Sequence, residues 1–443
     1  MAEPRTTEPV GQVDDATSLS PDQLGFMCGI EVHQQLATGK LHSRQPGALY
    51  DVTIDTVPED WKRFERKLRA ARGEGGAIDV AARFESRRNR SFVYVQSPNA
   101  GLIELDDQPP LDHDEDAIQI ALTVSALLDA KPVSLLQTMR KTVVDGSNTS
   151  GFQRTSLVAT DGTLHTEDGP VGIDVLCLEE DSARKLDTLT ASNGEQVIYN
   201  LDRLGLPLIE IATAPDVLTP EHAQITSMAL GRVLRQTRKV RRGLGSIRQD
   251  LNVSLACGDR VEIKGCQDLN WIPRIIRLEM ARQLHFYRLA NELRGMLELP
   301  LLPPDRRSDD EQMESEVAAA VEAYLPLHLV DVSTSFASCE SKMVASGLAK
   351  GHAMLGLSLP GLNGKIGIKN LDKEGSQMPR LGRELAGAAK LAGVKGVFHS
   401  DELPAYGIEQ NHIDEVRQSL SLTDQDGFIL CLAPMWQAEL ALE

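Results

Sequence analysis

Carboxylates recur inside short apolar runs of this 443-residue chain. Glu31 and His33 stand in Gly29-Ile-Glu-Val-His33, where a spacing of two puts both on one face of a strand. Glu179-Glu180-Asp181 closes an apolar run. Glu210 lies within Pro207-Leu-Ile-Glu-Ile-Ala212, Asp250 follows Ser246-Ile-Arg-Gln, and Glu262 lies in Arg260-Val-Glu-Ile-Lys264. A carboxylate in a buried strand is costly unless it is paired or bound to a metal. Several in one domain suggest oxygen ligands converging on hard cations, Mg²⁺ above all. The competing arrangement pairs each acid with a nearby Arg or turns it to solvent on an edge strand.

A basic strip holds Arg232, Arg235, Arg238, Lys239, Arg241, Arg242 and Arg248, with no acid before Asp250. It could face nucleotide phosphates or an RNA backbone, or be a solvated helix face paired with acidic neighbours. Arg83 through Arg90 forms a shorter strip with the same two readings. The segment Asp145–Thr155 is dense in Gly and small polar residues; it could offer backbone N–H groups to an anion or form a tight turn. Asp112–Asp116 reads as a solvated acidic loop. There is no P-loop, no G-x-S-x-G and no H-E-x-x-H, and Gly243-Leu-Gly245 lacks the third glycine of a dinucleotide fingerprint.

The elements that would position these residues are mostly strands. Phe92–Val95, Val175–Leu178, Leu206–Ile211 and Val261–Lys264 read as strands between Gly-, Asp- and Asn-rich loops. Helices are expected over Asp114–Ala130, with an apolar face through Ile118, Ile120, Leu122 and Leu127, and from Thr219-Pro220 to Val240, with Ile225, Met228, Ala229 and Val233 on one face. Trp271–Leu297 and Glu314–Tyr324 also read as helical. Further on, helices are expected near Arg380–Ala392 and Glu409–Leu420, and a strand at Gly427–Leu432. Strands outnumber helices and do not alternate with them regularly, which gives an α+β fold. The domain reading is a disordered acidic tail over 1–24, a first domain over 25–299, a Pro-rich linker with a short helix over 300–328, and a second domain over 329–443.

Hydrophobic residues make up 41% of the chain, enough for a sizeable core. Mean hydropathy is −0.22, and no run approaches the ~18 apolar residues of a membrane-spanning helix. Residues 1–24 lack the apolar core of a signal peptide, so a cytoplasmic protein is expected. The chain has 64 Asp and Glu against 46 Lys and Arg, a net charge of −18. It is poor in Lys, with 15 against 31 Arg. This balance suits concentrated salt, where screening shortens self-repulsion, so a halophilic source is expected. It argues against a DNA-coating protein and leaves RNA binding open. None of the six cysteines forms a C-x-x-C pair, so a thiolate zinc site is not expected, and without a secretory signal neither is a disulfide framework.

Together these segments resemble the archaeal, E-type members of the GatB/GatE family of glutamyl-tRNA(Gln) amidotransferase subunits. The resemblance rests on Gly29-Ile-Glu-Val-His-Gln-Gln35, Cys177-Leu-Glu-Glu-Asp181, Asn200-Leu-Asp-Arg-Leu-Gly-Leu-Pro-Leu-Ile-Glu-Ile211, Gly245-Ser-Ile-Arg-Gln-Asp-Leu-Asn-Val-Ser254 and Val261-Glu-Ile-Lys264, which look like blocks shared by the B-type and E-type members. Asp145–Thr155 looks specific to the E type. So does the domain around His399-Ser-Asp-Glu-Leu-Pro-Ala-Tyr-Gly407, which is similar to the insertion domain of bacterial-type aspartyl-tRNA synthetases. The resemblance implies a cradle-like kinase domain that uses ATP and Mg²⁺ to phosphorylate the γ-carboxylate of glutamate misacylated onto tRNA(Gln). Ammonia from the D-type amidotransferase partner, an asparaginase-like protein using glutamine as amide donor, then displaces the phosphate. That makes the chain part of an ATP-dependent carbon–nitrogen ligase. It implies a metal set of Glu31, His33, Glu180, Glu210, Asp250 and Glu262; Arg248 and Lys264 are expected phosphate contacts because they stand beside those acids. The family's cysteines after the first block are absent from Lys40-Leu-His-Ser-Arg-Gln45, so no zinc is expected. The family's C-terminal helical and tail regions, which contact tRNA, are expected to lie outside this sequence. A non-catalytic tRNA-binding or assembly protein and an unrelated metal-dependent hydrolase are the alternatives.

Overall fold

In the computed structural model the described residues are 5–67, 85, 90–191, 194–306, 311–325 and 327–442. The Arg83–Arg90 strip lies outside them apart from Glu85 and Arg90. Among the described residues the architecture is mixed α and β with three sheets. Two compact units are present. One comprises Met27–Val253 and Arg260–Ile275; the other comprises Met1–Phe26, Ser254–Asp259 and Ile276–Glu443.

The first unit is built on an eight-stranded sheet of β1 (Met27–Gln35), β4 (Lys131–Pro132), β5 (Thr138–Thr142), β6 (Phe152–Thr166), β7 (Gly169–Glu180), β10 (Pro207–Thr213), β11 (Ile247–Ser254) and β12 (Val261–Ile263). Their order is β12-β11-β1-β10-β7-β6-β4, and β5 pairs with β6. The pairs β1–β10, β10–β7 and β7–β6 are antiparallel. Along each strand the side chains alternate between faces. One row is apolar and buried: Ile30 and Val32 on β1, Ile209 and Ile211 on β10, Leu176 and Leu178 on β7, Leu251 and Val253 on β11. The other row carries Glu31, His33, Glu210, Cys177 and Glu179. A second sheet, β2 (Arg63–Lys67), β3 (Arg90–Val95), β9 (Gly194–Asn200) and β8 (Arg184–Ala191), has its own core around Phe92, Tyr94, Val197 and Tyr199.

Helices α1 (Glu115–Leu127) and α2 (Pro220–Gln236) pack on the large sheet. Asp114 caps α1 by accepting from Ala117 N at 3.0 Å, and Thr219 caps α2 by accepting from His222 N at 3.0 Å. Both helices fall where the sequence places them, but they bury different faces. In α1 the stripe is Ala117, Ile120, Ala121, Val124 and Ser125, whereas Leu122 and Leu127 are exposed. In α2 it is Ala223, Thr226, Ser227, Leu230, Gly231 and Leu234, with Met228 exposed. Small residues let each helix approach the sheet closely, and a count of large apolar side chains passes over them.

The second unit carries the sheet β13 (Val330–Asp331), β14 (Ala353–Leu359), β16 (Gly427–Ala433) and β15 (Gly396–His399), in that order. Its helices are α4 (Glu311–Tyr324), α5 (Lys342–Ala349), α6 (Leu381–Leu391), α7 (Gln410–Ser419) and α8 (Met435–Leu442). Phe336, Met354, Phe398, Val416 and Phe428 lie in its core. Helix α3 (Ile272–Met296) begins in the first unit, and from Ile276 it groups with the second.

The expected disordered tail is a correction. Residues 5–24 are packed within the second unit. Leu19 and Leu24 are buried, Arg5 N donates to the buried Asp305 carboxylate at 3.0 Å, and Tyr287 donates to Glu8 at 3.0 Å. A few apolar anchors spaced along an acidic segment suffice to dock it. The linker is also anchored, through Leu302 N donating to Asn291 at 2.7 Å. Among the described residues no helix is long and apolar enough to cross a membrane.

Candidate functional site

Register brings the polar row together. His33 on β1 pairs with Glu210 on β10, Glu210 pairs with Cys177 on β7, and Leu208 pairs with Glu179. Glu31, His33, Glu210 and Glu179 therefore share one face. His33 Nε2 lies 2.9 Å from Glu31 Oε1, and His33 Nδ1 lies 3.0 Å from Glu179 Oε1. With a carboxylate on each nitrogen, the ring donates from both and is an imidazolium. Burial opposes that charge, but the hydrogen bonds to Glu179 and Glu31 outweigh it and lift the His33 pKa to about 9. The bond from His33 in turn holds the Glu31 carboxyl below its ordinary range.

Lys141 reaches the same acids from β5. Its Nζ lies 2.8 Å from Glu210 Oε2 and 3.2 Å from Glu179 Oε2. Thr155 Oγ1, opposite Glu179 in the β6–β7 ladder, donates to it at 3.2 Å. Burial works against ionised Glu179, yet the bonds from His33 and the charge of Lys141 hold its carboxyl well below the ordinary range. Glu210 moves the other way: burial, then the Glu179 charge, raise it despite Lys141.

Of the six expected metal ligands, Glu31, His33 and Glu210 converge, with ligand atoms all within 4.8 Å of one another. Two carboxylates and an imidazole suit a hard divalent cation. Asp250 and Glu262 are not in that trio. Lys264 lies 3.5 Å from Asp250 and 2.6 Å from Glu262, and Asp250 also accepts from Gly265 N at 3.0 Å. Here the pairing that competes with metal binding is realised.

Glu180 is the clear departure. It continues the Leu176–Leu178 row, one step out of phase with Glu179, and so leaves the sheet on the opposite face. There it is buried beside Arg154, whose Nη1 lies 3.0 Å away. Burial raises its pKa, with Arg154 only partly offsetting this. Lys40 is fully buried, 3.7 Å from Glu104, and donates to Leu201 O at 3.0 Å. Burial lowers its pKa to about 8 in spite of those neighbours.

Arg248 lies 3.0 Å from the buried Asp181, which also accepts from Gln35 Nε2 at 2.7 Å. In the basic strip, Arg232, Arg235, Arg238, Lys239 and Arg242 stand at least partly open to solvent. Arg235 closes α2, and Arg238 follows it in a left-handed conformation at φ +57°. Arg241 differs: its guanidinium donates to the backbone oxygens of Leu36 and Gly47, which ties two loops together. Arg235 and Arg248 line a shallow cleft of about 110 Å³ with Gly231, Gln249 and Cys266. Asp145–Thr155 begins as a tight turn, with Ser147 N donating to Asp145 at 2.9 Å, and runs into β6 from Phe152.

Sequence reasoning noted Glu179 within an acidic run without choosing it as a ligand, and passed over Lys141. The period-two rule that joined Glu31 to His33 also selects Glu179 over Glu180 once Cys177 is aligned with Glu210. Lys141 carries no such signal, since its role depends on which strand β5 joins.

Comparison with known proteins matches residues 26–323 to the GatB/GatE catalytic domain. The chain belongs to the GatB/GatE family. It is 42% identical over 423 residues to the E-type glutamyl-tRNA(Gln) amidotransferase protein of Pyrococcus furiosus, covering 95% of this chain and 61% of the relative. It is 43% identical over 421 residues to the Thermococcus sibiricus counterpart, with the same coverage. Identity to that of Methanosarcina acetivorans is 40% over 422 residues, covering 95% and 60%. The chain thus spans about 61% of the length of the GatB/GatE relatives it matches. The acidic cluster on β1, β7 and β10 lies within the matched GatB/GatE segment.

Proposed function

We propose that this chain supplies the catalytic part of a tRNA-dependent amidotransferase. Its reaction is phosphorylation of the γ-carboxylate of Glu-tRNA(Gln) with ATP, followed by amidation with ammonia that an asparaginase-like, D-type partner takes from glutamine. The first unit would be the cradle-like kinase domain, and the region around β13–β16 the insertion domain similar to that of bacterial-type aspartyl-tRNA synthetases. The protein would work in the cytoplasm as a heteromer, with Mg²⁺ and no zinc. One observation supports this most: Glu31, His33 and Glu210 converge on the polar face of a sheet, in a chain that belongs to this family.

Phosphoryl transfer between a carboxylate and a triphosphate asks the protein for positioning and charge compensation rather than for a covalent nucleophile. Glu31, His33 and Glu210 would hold Mg²⁺, which when bound offsets the charge of the transferring phosphoryl group. His33 fixes Glu31 and Glu179 from its two ring nitrogens and gives up a proton when it acts as a ligand. Arg248 and Lys264 would reach the phosphates. Arg232, Arg235, Arg238, Lys239 and Arg242 would meet tRNA or nucleotide phosphates, while Arg241 is engaged with the backbone at Leu36 and Gly47.

The test uses the chain together with its ammonia-supplying partner, Glu-tRNA(Gln) and γ-labelled ATP. Glu210→Gln and His33→Gln are expected to cut label transfer to Glu-tRNA at least ~100-fold with circular dichroism unchanged. Wild-type transfer in both variants would refute the catalytic assignment. Absence of Mg²⁺-ATP binding by the wild type would favour the non-catalytic assembly reading.

A further inference from the structure

The acids of the polar cluster already hold a cation. Lys141 Nζ sits between Glu210 Oε2 and Glu179 Oε2, at 2.8 and 3.2 Å. Glu210 is also one of the three converging metal-ligating groups. The lysine comes from β5, a strand exposed along its whole length that pairs with β6. Its side chain is 42% exposed, against 1% for Glu179 and 11% for Glu210. The acids are therefore fixed in the sheet, whereas the ammonium sits on a flexible stem with an open path to solvent. His33 hydrogen-bonds Glu31 and Glu179 and acts on Glu210 only through its charge, so Lys141 is the cation that bonds Glu210 directly.

We infer that Lys141 is a resident counter-ion that a divalent cation must displace from Glu210, and that it thereby sets the affinity of the site for metal. This rests on the metal-site reading above. Lys141 keeps the three carboxylates together in the metal-free chain. A metal binds only the fraction of molecules in which the ammonium has swung outward, so the apparent affinity falls by that fraction. The freed ammonium remains tethered beside the site, where an anionic ligand could engage it.

Mn²⁺ serves as the probe, with binding followed by its electron paramagnetic resonance signal and by calorimetry on the wild type, Lys141→Met and Glu210→Gln. Removing a unit charge a few ångströms from the ligands should tighten Mn²⁺ binding about tenfold or more in Lys141→Met. The same variant should melt at a lower temperature without metal and gain more from its addition. Unchanged or weaker binding in Lys141→Met would overturn the counter-ion role and make Lys141 a support for the ligands. If the wild type binds no Mn²⁺, or Glu210→Gln binds as well as wild type, the metal-site reading itself fails. A measurement on the unmodified chain guards against a folding defect. Acylation of Lys141 by an amine-reactive ester, read by peptide mass spectrometry, should rise at least threefold when Mn²⁺ is added, and equal labelling would overturn the displacement.

Discussion

Along β7, Glu179 and Glu180 leave the sheet on opposite faces, and the two carboxylates meet different fates. Glu180 is buried against Arg154, so Glu180→Gln strands a charge. The expected cost is about 3 kcal/mol of folding stability, read by chemical denaturation, with Mn²⁺ affinity changed less than about twofold. Glu179→Gln should instead disturb His33 and Lys141 and weaken Mn²⁺ binding. Equal effects of the two variants on metal affinity would contradict the division of faces. His33 supplies a pH signature. Its folded pKa of about 9 lies above the ordinary histidine value of 6.5, so its contribution is fully present below ~6.5 and is lost as pH rises through 9. The metal-free chain should lose about 3 kcal/mol over that window, and His33→Gln should flatten the profile. Ring signals in NMR should place the midpoint near 9, and a midpoint near 6.5 would rule out the imidazolium. At this scale the sequence disclosed the acids and hid their partners. Glu31, His33 and Glu210 follow from strand period and chain likeness, and Lys264 from its place two residues after Glu262, whereas Lys141 and Arg154 acquire their roles only through strand order.

Element by element, the longer helices and the strands built on apolar runs were legible because their signals are local, whereas β5, β6 and β8 carry no such run and were not marked. Thr219-Pro220 marks the start of α2, and the Val-, Ile- and Leu-rich runs mark β7 and β10. What stayed hidden is which face each helix buries, since Ala117, Ala121, Thr226, Ser227 and Gly231 reach the core by being small rather than apolar. The turn after Asp145 illustrates how closely local geometry is fixed. Gly146 has φ +82°, and a Cβ there would run into the Phe92 ring. Tyr94 donates to Gly146 O at 2.7 Å and Tyr199 to Asp145 O at 2.8 Å, so the turn cannot easily slide away. Gly146→Ala is expected to cost about 2 kcal/mol, measured by denaturation, from the left-handed backbone and the clash together. A neutral effect would show that the second sheet yields there.

For the whole molecule, a net charge of −18 makes salt part of the folding environment. Thermal unfolding should shift upward by several degrees between low and molar KCl as the repulsion is screened, and a flat profile would count against a halophilic origin. The docked segment over 5–24 adds a second expectation: deletion of residues 1–24 should destabilise the second unit, because the buried Leu19 and Leu24 side chains are removed from its packing and the Asp305 carboxylate loses the bond from Arg5 N. All six cysteines are buried, and burial pushes the Cys28 and Cys177 thiols up to about 12. The native chain should therefore resist maleimide dyes. Leu244, fully solvent-exposed between Gly243 and Gly245 beside the basic strip, then offers an empty background for a single fluorophore. Leu244→Cys would report by fluorescence on whatever approaches that strip, without first stripping the protein of its own thiols.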